Sequence, residues 1–184
     1  MFAHIRKDIA FFAGVHFENQ FIINLYECDL RMVVNTDDVR EQAVAQERLV
    51  YFVSNYLQNS LIISKEEIDL IKKYEATGMR VCVIPEEPYD QVLGLILINK
   101  FNAIMEGRIQ VTDLVFGSKL SDYIKFELCN EDAESLFGQD SWYNDNTVSL
   151  RDSDKSTKKK DKIVKLFDPD EWEKNELTWK EKKA

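Results

Sequence analysis

The sequence predicts an α+β fold: a mixed or antiparallel sheet in the order β-β-α-α-β-α-β-β, helices mainly on one face, and a charged C-terminal tail. Strand-like apolar runs lie between Phe11 and Val34 and again between Arg108 and Cys129, helix-period patterns lie between them, and composition changes near residue 150. The predicted domains are therefore an acidic α+β domain over 1–150 and a tail over 151–184.

Each element has its own signal. Phe11 to Phe17 and Gln20 to Val34 flank Glu18 and Asn19, which reads as a β-hairpin. Thr36, Asp37 and Asp38 offer N-cap oxygens, and Val39, Ala43, Val50, Val53 and Leu57 then recur at helical spacing. Ser64 and Glu67 have capping-box spacing ahead of Ile68, Ile71 and Tyr74, and Thr77 and Gly78 punctuate the end. Met79 to Ile84 is a compact strand-like run. A helix follows, bracketed by Pro85 and Pro88 at its start and Gly107 at its end; its apolar residues wrap most of its circumference, which predicts the most buried helix. Arg108 to Phe116 and Tyr123 to Cys129 alternate as a second hairpin joined by Gly117 to Asp122. Glu131 to Gly138 offers a short helix and Gln139 to Asn146 an irregular loop.

At 184 residues with 45% hydrophobic side chains, the chain can bury one sizeable core. Its net charge is -9, carried unevenly: residues 1–150 hold 13 basic and 24 acidic side chains, residues 151–184 hold 11 and 9. An acidic domain argues against binding duplex nucleic acid or an anionic membrane, both of which need a dense positive surface. Charges in Met1 to Asp8 occupy the place of a signal peptide's apolar stretch, and no apolar run has the length of a membrane span, so the expectation is a cytoplasmic protein. Cys28, Cys82 and Cys129 sit far apart in apolar runs and read as buried free thiols.

Trp142, Trp172 and Trp179 are the three tryptophans, all in the last quarter of the chain. Large aromatic side chains outside a predicted core suggest surfaces offered to another molecule. The partner-binding candidates are Phe167, Trp172, Leu177 and Trp179 as apolar anchors, with Lys158, Lys159 and Lys160 steering encounter by charge. Asp168 and Pro169 provide a helix start that would put Trp172 and Leu177 on a short helix able to enter a groove. The tail packing back on its own domain is the competing reading.

Chemistry is sparse. No nucleophile elbow or phosphate-cradling glycine loop is present, no close Cys or His pair has metal-ligand spacing, and His16 between Val15 and Phe17 reads as structural. No catalytic residue and no cofactor is assigned. Glu86, Glu87, Asp90 and Asp113 are the carboxylates that could hold magnesium or manganese for a hydrolase or nuclease, provided they share a cleft.

Val83 to Gln91, Asn102 to Arg108, Thr112 with Asp113, and Ser118 to Asp122 resemble the pattern of small uncharacterised proteins of tailed bacteriophages, over about residues 20 to 146. The resemblance implies an accessory or assembly component made in the host cytoplasm, and it carries no catalytic residues. Together these readings predict a non-enzymatic interaction protein that docks on a protein partner, or self-associates, through its tail. The metal-dependent hydrolase is one alternative; an acidic mimic of nucleic acid that occupies a host protein is the other.

Overall fold

The computed structural model describes residues 3–136 and 141–152. Two long strands, β1 (Ala3–Phe17) and β2 (Gln20–Val34), pair antiparallel from end to end. Glu18 and Asn19 join them at φ 49° and 59°, the left-handed pair whose twist matches that of a hairpin. Helix α1 (Val39–Phe52) starts at Asp38, whose carboxylate accepts from the Arg40 amide at 2.8 Å, and it runs on into a π-helical turn over Val53–Leu57. Then come β3 (Leu61–Ser64), α2 (Ile68–Ala76), β4 (Val81–Ile84), α3 (Asp90–Met105), β5 (Ile109–Ser118), β6 (Lys125–Cys129) and α4 (Asn130–Leu136).

The strands form one mixed sheet in the order β4-β3-β1-β2-β5-β6, so the architecture is α+β. It differs from the sequence expectation in four places. Strand β3 is additional: Leu61 to Ser64 is buried on both sides, so it shows no alternation, and it is too short for periodicity to mark. The first strand begins well before Phe11. Helix α3 begins at Asp90 rather than at Pro85, because Pro88 disfavours helical backbone at Glu87 before it. No capping box forms at α2: the Ser64 carbonyl and hydroxyl accept from the amides of Glu67 and Glu66, and Glu67 makes no side-chain cap.

Helices α1, α3 and α4 cover the face that presents Phe11, Ala13 and Val15 of β1 and Tyr26, Cys28 and Leu30 of β2. Helix α2 lies on the opposite face, where its Tyr74 ring stands 6.3 Å from that of Phe21. It packs mainly against β4, and β3 and β4 are the strands buried on nearly every side.

Helix α3 is the centre of the molecule and is buried nearly all round, as its sequence predicts. Gly94 lets it lie close on the sheet, since a Cβ there would stand 3.2 Å from the Phe116 ring and 2.4 Å from Leu128. Its buried polar side chains have partners. Asn99 donates to the Ala133 carbonyl at 2.9 Å, and Asn102 bonds the amide and carbonyl of Val111 and the side chain of Asn130.

Lys100 is the most demanding of them, with no exposed surface. Its ammonium donates to the carbonyls of Trp142, Asp145 and Thr147 at 2.9, 2.8 and 2.6 Å, matching its three hydrogens, and it stands 5.6 and 5.5 Å from the rings of Phe52 and Trp142. The irregular segment is thus wrapped around a charge on α3. Trp142 is correspondingly core, 1% exposed, with its indole N–H on the Val83 carbonyl at 2.8 Å. This corrects its reading as a side chain offered to a partner.

Lys100→Met keeps the length and removes the donors, leaving buried carbonyls unpaired at about 1–3 kcal/mol each. The expected loss is at least ~3 kcal/mol, seen as a melting temperature lowered by about 6–12 °C for a chain of this size. A melt within a degree or two of the parent would show that the segment does not depend on the ammonium.

Candidate interaction surface

The face of β1 and β2 that the large helices leave uncovered divides into two halves. Even-numbered residues of β1 and odd-numbered residues of β2 point there, because successive side chains alternate. Toward the start of β1 this face is charged. Arg6 donates to Asp29 in a two-pronged ion pair, and Lys125 meets Glu27 at 2.9 Å. The bond from Arg6 holds the Asp29 carboxyl below the usual carboxylate range, and Asp29 in turn raises Arg6. Both pairs are solvated and hold side-chain geometry more than they stabilise the fold.

Toward the hairpin turn the same face is apolar. Phe12, Phe21 and Ile23 are 50, 47 and 71% exposed, and Leu25 stands opposite Phe12. Phe21 lies across Gly14, where a Cβ would stand 2.7 Å from its ring, so the glycine lets the aromatic ring lie flat on the sheet. Tyr123 and Ile124, 69 and 59% exposed, emerge from the β5–β6 connection at this same end. Aromatic and branched side chains concentrated on one uncovered face are what a protein-binding surface presents.

The candidate metal carboxylates do not share a cleft. Asp90, buried at the first position of α3, accepts from the hydroxyls of Ser118 and Ser121 at 2.9 and 2.8 Å, and Ser118 accepts from Asn24 at 2.8 Å. That network ties the helix start to the end of β5. Asp113 lies on the other face of the sheet, accepting from Thr112 at 2.8 Å, five residues and roughly 16 Å along β5 from Ser118. Glu86 is exposed. Glu87 lines a small hollow of about 140 Å³ with His16, Glu18, Glu67 and Tyr89. Among the described residues no group of three or more His, Cys, Asp and Glu side chains is placed to hold a metal ion.

The tail candidates Phe167, Trp172, Leu177, Trp179, Lys158, Lys159 and Lys160 lie outside the described residues. Sequence reading missed the Phe12, Phe21 and Ile23 patch; the available signal was that the hairpin half of β1 and β2 is apolar at consecutive positions, too apolar for a strand with one wet face.

Among the described residues no helix is long and apolar enough to cross a membrane. No family model and no curated protein matches the chain. A solved structure, the crystal structure of an uncharacterized protein from Wolinella succinogenes, is similar at a TM-score of 0.48 and 11% identity, over 71% of this chain and 99% of its own.

The cysteines are free, and they differ. Cys28 and Cys82 are buried in the core; burial pushes the Cys28 thiol up and that of Cys82 to about 12, the latter against the pull of Lys100. Cys129 is half-buried, its thiol donating to Asp132 at 3.0 Å, a departure from the expectation that all three are buried. A chromogenic disulfide reagent at pH 8 is expected to titrate one thiol promptly in the native protein and all three in denaturant. Prompt release of a second native equivalent would contradict this packing.

Proposed function

We propose that this chain is a non-enzymatic interaction protein whose acidic domain takes a protein partner on the uncovered sheet face. The observation that carries this reading is the patch formed by Phe12, Phe21 and Ile23, held flat by Gly14 and bordered by Tyr74 of α2. The excess of acidic side chains in residues 1–150 favours a partner with an apolar element set among basic residues. The C-terminal segment, with Phe167, Trp172 and Leu177 as anchors and Lys158 to Lys160 as steering charge, is a second docking element on the same partner. The resemblance to small bacteriophage proteins adds an assembly role in an infected cell to the proposal.

An exposed residue at the centre of the patch permits a clean test. Ile23→Asp places a charge where apolar contact is required and costs the fold little, because Ile23 is already mostly in water. In affinity capture from host or infected cells, the full chain is expected to retain a partner that Ile23→Asp loses by at least tenfold, about 1.4 kcal/mol. Ending the chain at Asp152 should weaken the same partner. Equal recovery by the parent and Ile23→Asp would remove the sheet face from the reading.

A further inference from the structure

Strand β1 has an edge that its neighbour fills only in part. The hairpin closes at Phe17 and Gln20, so the odd-numbered residues of β1 exchange backbone bonds with β2 and the even-numbered ones aim their N–H and C=O outward. Near the turn those outward groups are taken. The Gly14 amide donates to the Ser60 carbonyl at 2.8 Å, the Phe12 carbonyl accepts from the Asn59 amide at 2.8 Å, and the Phe12 amide donates to the Gln58 side chain at 3.1 Å. Strand β3 is too short to go further, pairing only with Gly14 and Val15. Among the described residues, nothing pairs with the outward backbone groups of His4, Arg6, Asp8 and Ala10.

Beside this open edge lies a hollow of about 470 Å³ between Lys7 and one side of α1, where Gln46, Glu47, Val50 and Tyr51 line it. Val50, 43% exposed, is an apolar side chain facing that space. Unpaired strand edges template the addition of another strand, and natural proteins cover them or blunt them with charged side chains. This protein covers the outer edge of β4, where Leu150 accepts from the Val83 amide and Trp142 donates to the Val83 carbonyl, both at 2.8 Å. The edge of β1 has no such cover among the described residues.

The edge sequence is complementary to itself. Antiparallel pairing of two copies about a twofold axis through Lys7 sets Arg6 opposite Asp8 and Ile5 opposite Ile9, each pair on one face. Each of the three registers sets one charge against itself, Lys7 here, but the neighbouring ones lose both matches: an axis at Arg6 sets Ile5 against Lys7 and His4 against Asp8, and an axis at Asp8 sets Lys7 against Ile9 and Arg6 against Ala10. In the Lys7 register the outward backbone groups of Arg6 and Asp8 bond each other, and the two Lys7 ammoniums face a space that each α1 lines with Glu47. We propose that two copies of this chain associate by antiparallel pairing of residues 3–10 of β1 about an axis at Lys7, joining their sheets into one and closing the space beside α1 with the exposed Val50 side chains.

The test uses the full chain and three variants. Sedimentation or light scattering at high micromolar concentration is expected to show a dimer. At the axis the two Cα atoms would stand about 4.5 Å apart, within disulfide reach. Lys7→Cys with Cys129→Ser is therefore expected to form a disulfide dimer under mild oxidation, whereas Ile5→Cys with Cys129→Ser stays monomeric on a denaturing gel. Asp8→Pro removes an outward N–H and the carboxylate opposite Arg6 while leaving the β2 ladder intact, and should weaken association at least tenfold with an unchanged far-ultraviolet spectrum. Ile23→Asp should remain dimeric, which separates this inference from the partner-binding reading. A monomeric parent chain, or crosslinking of Ile5→Cys equal to that of Lys7→Cys, would overturn the proposal; should Asp8→Pro unfold, the disulfide pair decides alone.

Discussion

The demand of one buried ammonium organises half of this molecule. Lys100 stands on the most enclosed helix, where an unpaired charge would cost several kcal/mol. It is tolerated because the chain returns 42 to 47 residues later and curls three carbonyls onto it. That curl is not free to take other shapes: the carbonyls must converge, and the convergence presses Trp142 against the same ammonium and aims its indole at Val83. Leu150 follows onto the Val83 amide, and Arg151 reaches Glu75 of α2. One side chain therefore links α3, the edge of β4 and the segment that would otherwise be the least regular part of the domain.

Local pattern made the hairpin, α1, α3 and the α+β class legible, since each depends on periodicity within a short window. What stayed hidden depends on contacts far apart in sequence. The roles of Asn99 and Lys100 were not legible, because a polar side chain in a helix signals exposure unless its partner is known, and the partners are remote. Trp142 read as available because Asn144, Asp145 and Asn146 mark its surroundings as loop. The segment is a loop, but its backbone carbonyls are spoken for. The existence of α3 was legible from Pro85, Pro88 and Gly107, whereas its start at Asp90 and the direction of Asp90, inward to Ser118 and Ser121, were not. A list of acidic residues gives no information on which of them share a face, and that is why the four candidate metal carboxylates disperse.

The patch on the open face follows from an imbalance within the hairpin. In its first half, Ile5, Lys7 and Ile9 face the helices while His4, Arg6 and Asp8 face water, a clean alternation that fixes the register of the whole ladder. Once the register is fixed there, the second half need not alternate to be correctly placed. Phe11 and Phe12 point to opposite faces, and so do Ile22 and Ile23, so apolar side chains appear on both sides. Helices α1 and α3 take one side, and α2 reaches only as far as Phe21 on the other. The apolar surface that remains is a product of helix placement, not of any departure from strand geometry.

The same hairpin separates two kinds of exposed surface by direction. Side chains of Phe12, Phe21 and Ile23 leave perpendicular to the sheet, while the outward N–H and C=O groups of His4 to Ala10 leave within its plane. A change of side chain on the face leaves the backbone edge as it was, and a proline at an outward amide leaves the face intact. The shortness of β3 is what creates the second surface: a four-residue strand that pairs only with Gly14 and Val15 leaves most of the fifteen-residue β1 without a neighbour on that side. Lengthening β3 would close the edge, but α1 and its π-helical turn already occupy the chain that would have to supply it. The open edge is therefore built into the order in which this sequence spends its residues between β2 and β4.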